Sequence, residues 1–191
     1  FQGVNPQGCQ VWSFKAPSTE ELEHDFLWRY HSKTPPRGMI HIFNRSHYED
    51  VLVVRVKNLV GEDVWRHRYE MINEWEHMLS LNNTTIIKFY LYISKEEQKR
   101  RLESRLADPR KHWKFSSNDL KERGYWEDYM RAFEDAISAC STSYAPWYIV
   151  PANKKWYRNL VVARTIADTL EAMAPRFPDP EPGLERIVVP D

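Results

Sequence analysis

The feature that most constrains this chain is an alternation. Short runs of β-formers are separated by helix-patterned segments of ten or more residues, so neighbouring strands cannot be joined by hairpins and must run parallel. Four runs qualify as strands: residues 10–15, 39–43, 84–93 and 147–150. Between them lie segments with helical spacing. One starts at the cap Ser18 or Thr19 and runs to His31, with Leu22, Phe26, Leu27 and Tyr30 inward. Others span 48–56, 62–81 (Val64, Ile72, Trp75 and Leu79 inward), 119–139 and 155–173. Ser94 with Glu97 three residues on forms a capping box that opens a helix to about Ala107. The stretch 1–8 reads as the end of an element followed by a loop, and the proline-bearing tail from Pro175 as extended and surface-bound. The expectation is one α/β domain, with a parallel sheet flanked by helices.

Composition narrows the function classes. The 191 residues carry 27 Lys+Arg against 27 Asp+Glu, so net charge gives no case for a nucleic-acid or membrane-surface binder. Nothing approaches the roughly 20 consecutive apolar residues of a membrane span. Two cysteines, Cys9 and Cys140, exclude a disulfide scaffold and make a reducing, cytoplasmic setting the expectation.

In open parallel sheets the ligand crevice lies beyond the carboxyl ends of the strands. The residues to inspect are therefore 15–17, 44–46, Ser94 and 151–153. Asn44-Arg45-Ser46 places a polar group and a cation directly after a buried strand, as a phosphate-handling site requires; equally, Asn44 fits a helix N-cap with Arg45 on the surface. The segment 95–123 holds ten Lys/Arg against six Asp/Glu, net +4. Arg101 and Arg105 are four apart on one helical face, and planar guanidinium forks in register suit a row of phosphate oxygens. The alternative is a solvated helix with a Glu97–Arg101 pair. Seven histidines lack metal-ligand spacing, and no serine sits in a nucleophile elbow. Of eight tryptophans, Trp12 and Trp28 are candidates to flank a base. No G-x-x-x-x-G-K-[ST] loop occurs within the 191 residues.

Six blocks in order resemble the polyphosphate kinase 2 family of P-loop phosphotransferases: GVNPQGC at 3–9, FKAPSTEE at 14–21, FLWR at 26–29, IFNRSHYED at 42–50, KHWKFS at 111–116 and APWYIVPANKKWYR at 145–158. The SHYED version is similar to the class III subgroup, which accepts both AMP and ADP. The resemblance implies a P-loop kinase-like three-layer fold with a helical basic lid over about 95–123. It implies phosphoryl transfer between inorganic polyphosphate and AMP or ADP, forming ADP or ATP, assisted by Mg²⁺. Asn44 and Arg45 match the Walker B-like pair. Asn44 stands where many relatives have Asp, so it would meet the metal through water. Glu49 would help select the nucleotide, Lys15, Pro17 and Arg29 would hold the acceptor, and Arg101, Arg105, Lys111 and Lys114 would grip polyphosphate, with Asp119 a matching acidic position. A homo-oligomer is implied, and so are a first strand and a Walker A loop upstream of Phe1. An ATP-dependent nucleoside monophosphate kinase, such as a thymidylate kinase, and an inactive polyanion-binding module are the alternatives.

Overall fold

The computed structural model describes residues 5–190; the reading of an element end at 1–4 lies outside the described residues. Four strands are present: β1 (Cys9–Ser13), β2 (Ile40–Asn44), β3 (Lys88–Tyr92) and β4 (Trp147–Pro151). Between and after them come α1 (Thr19–Leu22), α2 (Trp28–His31), α3 (Glu49–Val56), α4 (Glu62–Leu81), α5 (Lys95–Leu106), α6 (Asn118–Gly124), α7 (Trp126–Cys140) and α8 (Lys155–Met173).

All pairing is parallel. β1 aligns with β2 from Cys9↔Ile40 to Ser13↔Asn44, and β3 with β4 from Lys88↔Trp147 to Tyr92↔Pro151. The described strands make two two-stranded sheets, without a backbone ladder between β2 and β3. A cavity of about 310 Å³ lies there instead, lined by Phe43, Arg45, Glu49, Phe89, Tyr90 and Trp147 among others.

Two expected helices are broken, each for a local reason. The segment from Thr19 does not run through to His31, because Asp25 Oδ1 accepts the Leu27 and Trp28 amides and starts a new turn; short acceptor side chains compete with the helix ladder in this way. Residues 118–140 divide at Tyr125, which leaves helical geometry (ψ 18°) directly after Gly124, a weak helix former, and sits under the Lys57 ammonium, 3.8 Å from its ring centre. Val64, expected inward on α4, is 42% exposed; its neighbour Trp65 is the buried residue.

The core forms where α3, α4 and α7 meet. Tyr48, Val51, Leu52, Ile72, Ala132, Ala136 and Cys140 are packed together there. A second cluster, Phe14, Tyr30, Trp75 and Leu79, closes the face of the β1–β2 pair. Burying a side chain of this size contributes about 1.5–3 kcal/mol. Together these clusters hold the carboxyl ends of β1 and β2 in fixed register, with Phe14 N donating to Asn44 O at 3.2 Å.

Candidate active site

Asn44 ends β2, and Arg45 follows in the left-handed region at φ 59°. For a residue with a Cβ that conformation costs roughly 1–2 kcal/mol, and single strained residues of this kind concentrate at functional sites. The twist turns the chain sharply off the strand, and Ser46 Oγ accepts the Tyr48 amide at 3.4 Å as α3 begins. Asn44 and Arg45 are exposed, while His47 and Tyr48 are buried. The exposed cation thus stands on an anchored turn. Glu49, in the first turn of α3, lines the same cavity as Arg45. Burial pushes its carboxyl above the usual range, against the opposing pull of the Arg45 guanidinium.

At the carboxyl end of β1, a second cavity of about 280 Å³ is lined by Trp12, Phe14, Lys15, Glu21, Arg29 and Lys33 among others. Arg29 is 7% exposed. Its Nη2 donates to Lys15 O at 2.9 Å, its Nη1 lies 3.5 Å from Glu21 Oε2, and its guanidinium faces the Phe14 and Tyr30 rings. Its Nε is buried with no partner, a donor that an entering anion or water would satisfy. Lys15 and Lys33 add cations at the rim, and Lys33 Nζ stands 4.7 Å from the Trp12 ring centre. Pro17 lies in the exposed turn before the Ser18 cap, beside this cavity in sequence and outside its lining. Trp28 stacks on His24 at 4.1 Å and is also outside the lining.

The basic segment forms α5, a 3₁₀ turn at Pro109–Lys114, and α6. Ser94 Oγ accepts the Glu97 amide at 3.2 Å and opens α5, but the expected capping box is only half formed, because the Glu97 carboxylate turns to Arg100 and Arg101 instead of the Ser94 amide. Arg101 and Arg105, expected to act as one row, have separate partners. The Arg101 Nε donates to Glu97 Oε1 at 2.7 Å, and its Nη2 donates to the Ala152 and Asn153 carbonyls at 2.7 and 3.0 Å. Asn153 Oδ1 in turn accepts the Ser94 amide. Arg101 therefore fastens α5 to the loop after β4. The paired arginines hold the Glu97 carboxyl down at about 2. Arg105 faces Asp119 at 3.7 Å. Lys111 pairs with Asp108, Lys114 lies over the Trp113 ring, and both cations stay exposed.

Sequence reasoning missed a buried cluster directly behind Arg45. Glu76 on α4 is 0% exposed and accepts from His47, Tyr48 and Lys88. The signal was present: Glu76 falls on the stripe of Ile72, Trp75 and Leu79, where a charge is out of place.

Among the described residues, no group of three or more His, Cys, Asp or Glu could hold a metal ion, and no helix is long and apolar enough to cross a membrane.

The family profile described as "Polyphosphate kinase 2" matches residues 1–178. The chain belongs to that family. It is 54% identical to the AMP/ADP-polyphosphate phosphotransferase of Meiothermus ruber over 189 residues, covering 99% of this chain and 71% of that protein. It is 46% identical to the ADP-polyphosphate phosphotransferase of Rhodopseudomonas palustris, covering 95% and 67%. Among solved structures, the polyphosphate kinase 2 of Arthrobacter aurescens TC1 superposes with a TM-score of 0.93 at 47% identity, over 95% of this chain and 64% of that one. The chain thus spans between 64% and 71% of the length of these three proteins. The three-layer, P-loop kinase-like expectation agrees with this superposition.

Proposed function

We propose that this chain carries the phosphotransfer site of a polyphosphate-dependent nucleotide kinase, moving a phosphoryl group between inorganic polyphosphate and AMP or ADP to form ADP or ATP. The observation that carries the reading is the arrangement at the strand ends. An exposed cation, Arg45, follows β2 on an anchored turn, beside a cation-lined cavity with a buried unpartnered donor at the end of β1, within a family whose relatives bear phosphotransferase names. Phosphoryl transfer asks a protein mainly for positioning and charge neutralisation. Here Lys15 and Arg29 would seat the acceptor, with Glu49 selecting it and Pro17 shaping the turn. Arg45 would neutralise charge on the group in transit. Lys111, Lys114 and Arg105, with Asp119 holding Arg105, would draw the polyphosphate, while Arg101 keeps the lid in place.

Mg²⁺ belongs to this reading as an ion carried largely by phosphate oxygens, which is how Mg²⁺ usually binds in kinases. Among the described residues, the chain would offer the Asn44 amide, through water, rather than a carboxylate cage. When bound, the ion would offset charge between donor and acceptor phosphates. The gap between β2 and β3 is consistent with the family's first strand and Walker A loop completing the site. A single domain, a cytoplasmic setting, a homo-oligomer and no nucleic-acid partner complete the proposal, supported by the family resemblance and the balanced charge.

A donor swap on the full-length protein tests it. AMP with polyphosphate should yield ADP and ATP, and AMP with ATP as the donor should turn over far more slowly. The reverse preference would identify an ATP-dependent nucleoside monophosphate kinase. Polyphosphate retention that weakens with salt, with no turnover, would identify a polyanion-binding module.

A further inference from the structure

We infer that Glu76 is a positioning residue for phosphoryl transfer, acting through His47 and Tyr48 to set the pose of Arg45; the inference rests on the function proposed above. One carboxylate oxygen, Oε1, accepts from two consecutive residues of the Arg45 turn: His47 Nε2 at 2.9 Å and the Tyr48 hydroxyl at 3.0 Å. Two adjacent residues tied to one buried atom fix both the height and the rotation of the turn. The other oxygen, Oε2, accepts from Lys88 Nζ at 2.5 Å. Lys88 opens β3, and its ammonium also donates to the Tyr48 hydroxyl at 2.7 Å and the Cys140 carbonyl at 2.8 Å. The cluster therefore joins the turn after β2, the start of β3 and the end of α7, across the gap where the two strand pairs share no backbone hydrogen bonds.

A buried ion pair is poor value as a source of stability, since an apolar replacement of the same volume often does as well or better. What it supplies is direction, and here every donor but one that reaches Glu76 belongs to the Arg45 turn. The His47 ring is further wedged at 4.8 Å from Trp75 and 5.9 Å from Tyr30, so it cannot swing away. Arg45, at a positive φ, falls between the end of β2 and the start of α3, and its pose depends on the residues that follow it.

The test measures kcat and KM for AMP with saturating polyphosphate in the full-length protein and in His47→Leu, His47→Gln and Tyr48→Phe. Circular dichroism and thermal unfolding check that each variant is folded. His47→Leu should lose about tenfold or more in kcat, the scale of a small misplacement of a transfer group, at unchanged KM for AMP. His47→Gln, which can still donate to Glu76, should recover most of that loss. Tyr48→Phe deletes one hydroxyl and keeps the ring packing. It serves if His47→Leu does not fold, and should lower kcat about threefold or more with KM unchanged. Folded variants with kcat within twofold of wild type, or a His47→Gln no better than His47→Leu, would overturn the inference alone. An inactive wild type would overturn the proposed function, and this inference with it.

Discussion

Removing the partners of the Glu76–Lys88 pair singly and together should give strongly non-additive losses of stability. Glu76 is fully buried and Lys88 is 7% exposed, with 2.5 Å between Oε2 and Nζ. Lys88→Met would leave the carboxylate with two neutral donors, and Glu76→Leu would leave an ammonium facing one hydroxyl and one carbonyl. Losing one partner of such a pair costs about 3–5 kcal/mol, whereas replacing both by apolar groups is often close to neutral. Burial already pulls the Lys88 pKa down against the attraction of Glu76, so the lone lysine would partly escape by shedding its proton and should fall at the lower end of that range. Each single variant should lower the midpoint of thermal unfolding by about 6–20 °C at roughly 2–4 °C per kcal/mol for a chain of this size. The double variant should be more stable than the sum of the two losses by at least about 2 kcal/mol. Urea unfolding of the four proteins measures this through the midpoints, provided the slopes agree. Losses that add to within about 0.5 kcal/mol would refute the reasoning that each buried charge is costly only when its partner is removed.

Three further outcomes are expected. Burial holds the His47 imidazole below its usual 6.5, so between that depressed value and 6.5 the unfolded chain binds the extra proton. The stability contributed by neutral His47 is complete above pH 6.5 and is lost as pH falls toward its folded pKa. Glu49 and Asp50, raised by burial, act in the opposite direction in both proteins. The difference between wild type and His47→Gln in unfolding free energy should therefore shrink on acidification, and a difference constant from pH 7 to 5 would count against it. Arg101→Ala frees two carbonyls, one of them on buried Ala152, and should cost about 2–3 kcal/mol by thermal unfolding. A variant with unchanged unfolding but a raised KM for polyphosphate would instead make Arg101 a direct grip. Ser94→Ala removes the cap of α5 and should cost about 1 kcal/mol in the same measurement.

Where one pattern dominated, the sequence was enough. α4 and α8 begin and end where the helical spacing placed them, without a side-chain N-cap on either. The breaks at Asp25 and Tyr125 were not legible, since the first depends on one carboxylate satisfying the Leu27 and Trp28 amides and the second on Tyr125 meeting Lys57, a cation far away in the sequence. β3 is shorter than the run 84–93 because β4 offers only five partners, from Trp147 to Pro151. At the candidate site, the placement of Asn44 and Arg45 at the carboxyl end of β2 was legible, because the end of a parallel strand is where a crevice opens. The division of labour between Arg101 and Arg105 was not, because helical spacing says which face two arginines share and not which carbonyls wait across from them. Glu76 was hidden by its neighbours: read as one more charge on a long amphipathic helix, it shows its meaning only once Lys88, twelve residues on, folds back against it.

The most direct test of the account follows polyphosphate and AMP by ³¹P NMR with the full-length protein and its Arg45→Ala variant. The account predicts that wild type moves polyphosphate phosphorus onto the nucleotide, and that the folded variant loses about a hundredfold or more in rate, on the scale of a removed transition-state donor. Transfer by Arg45→Ala at the wild-type rate would contradict it.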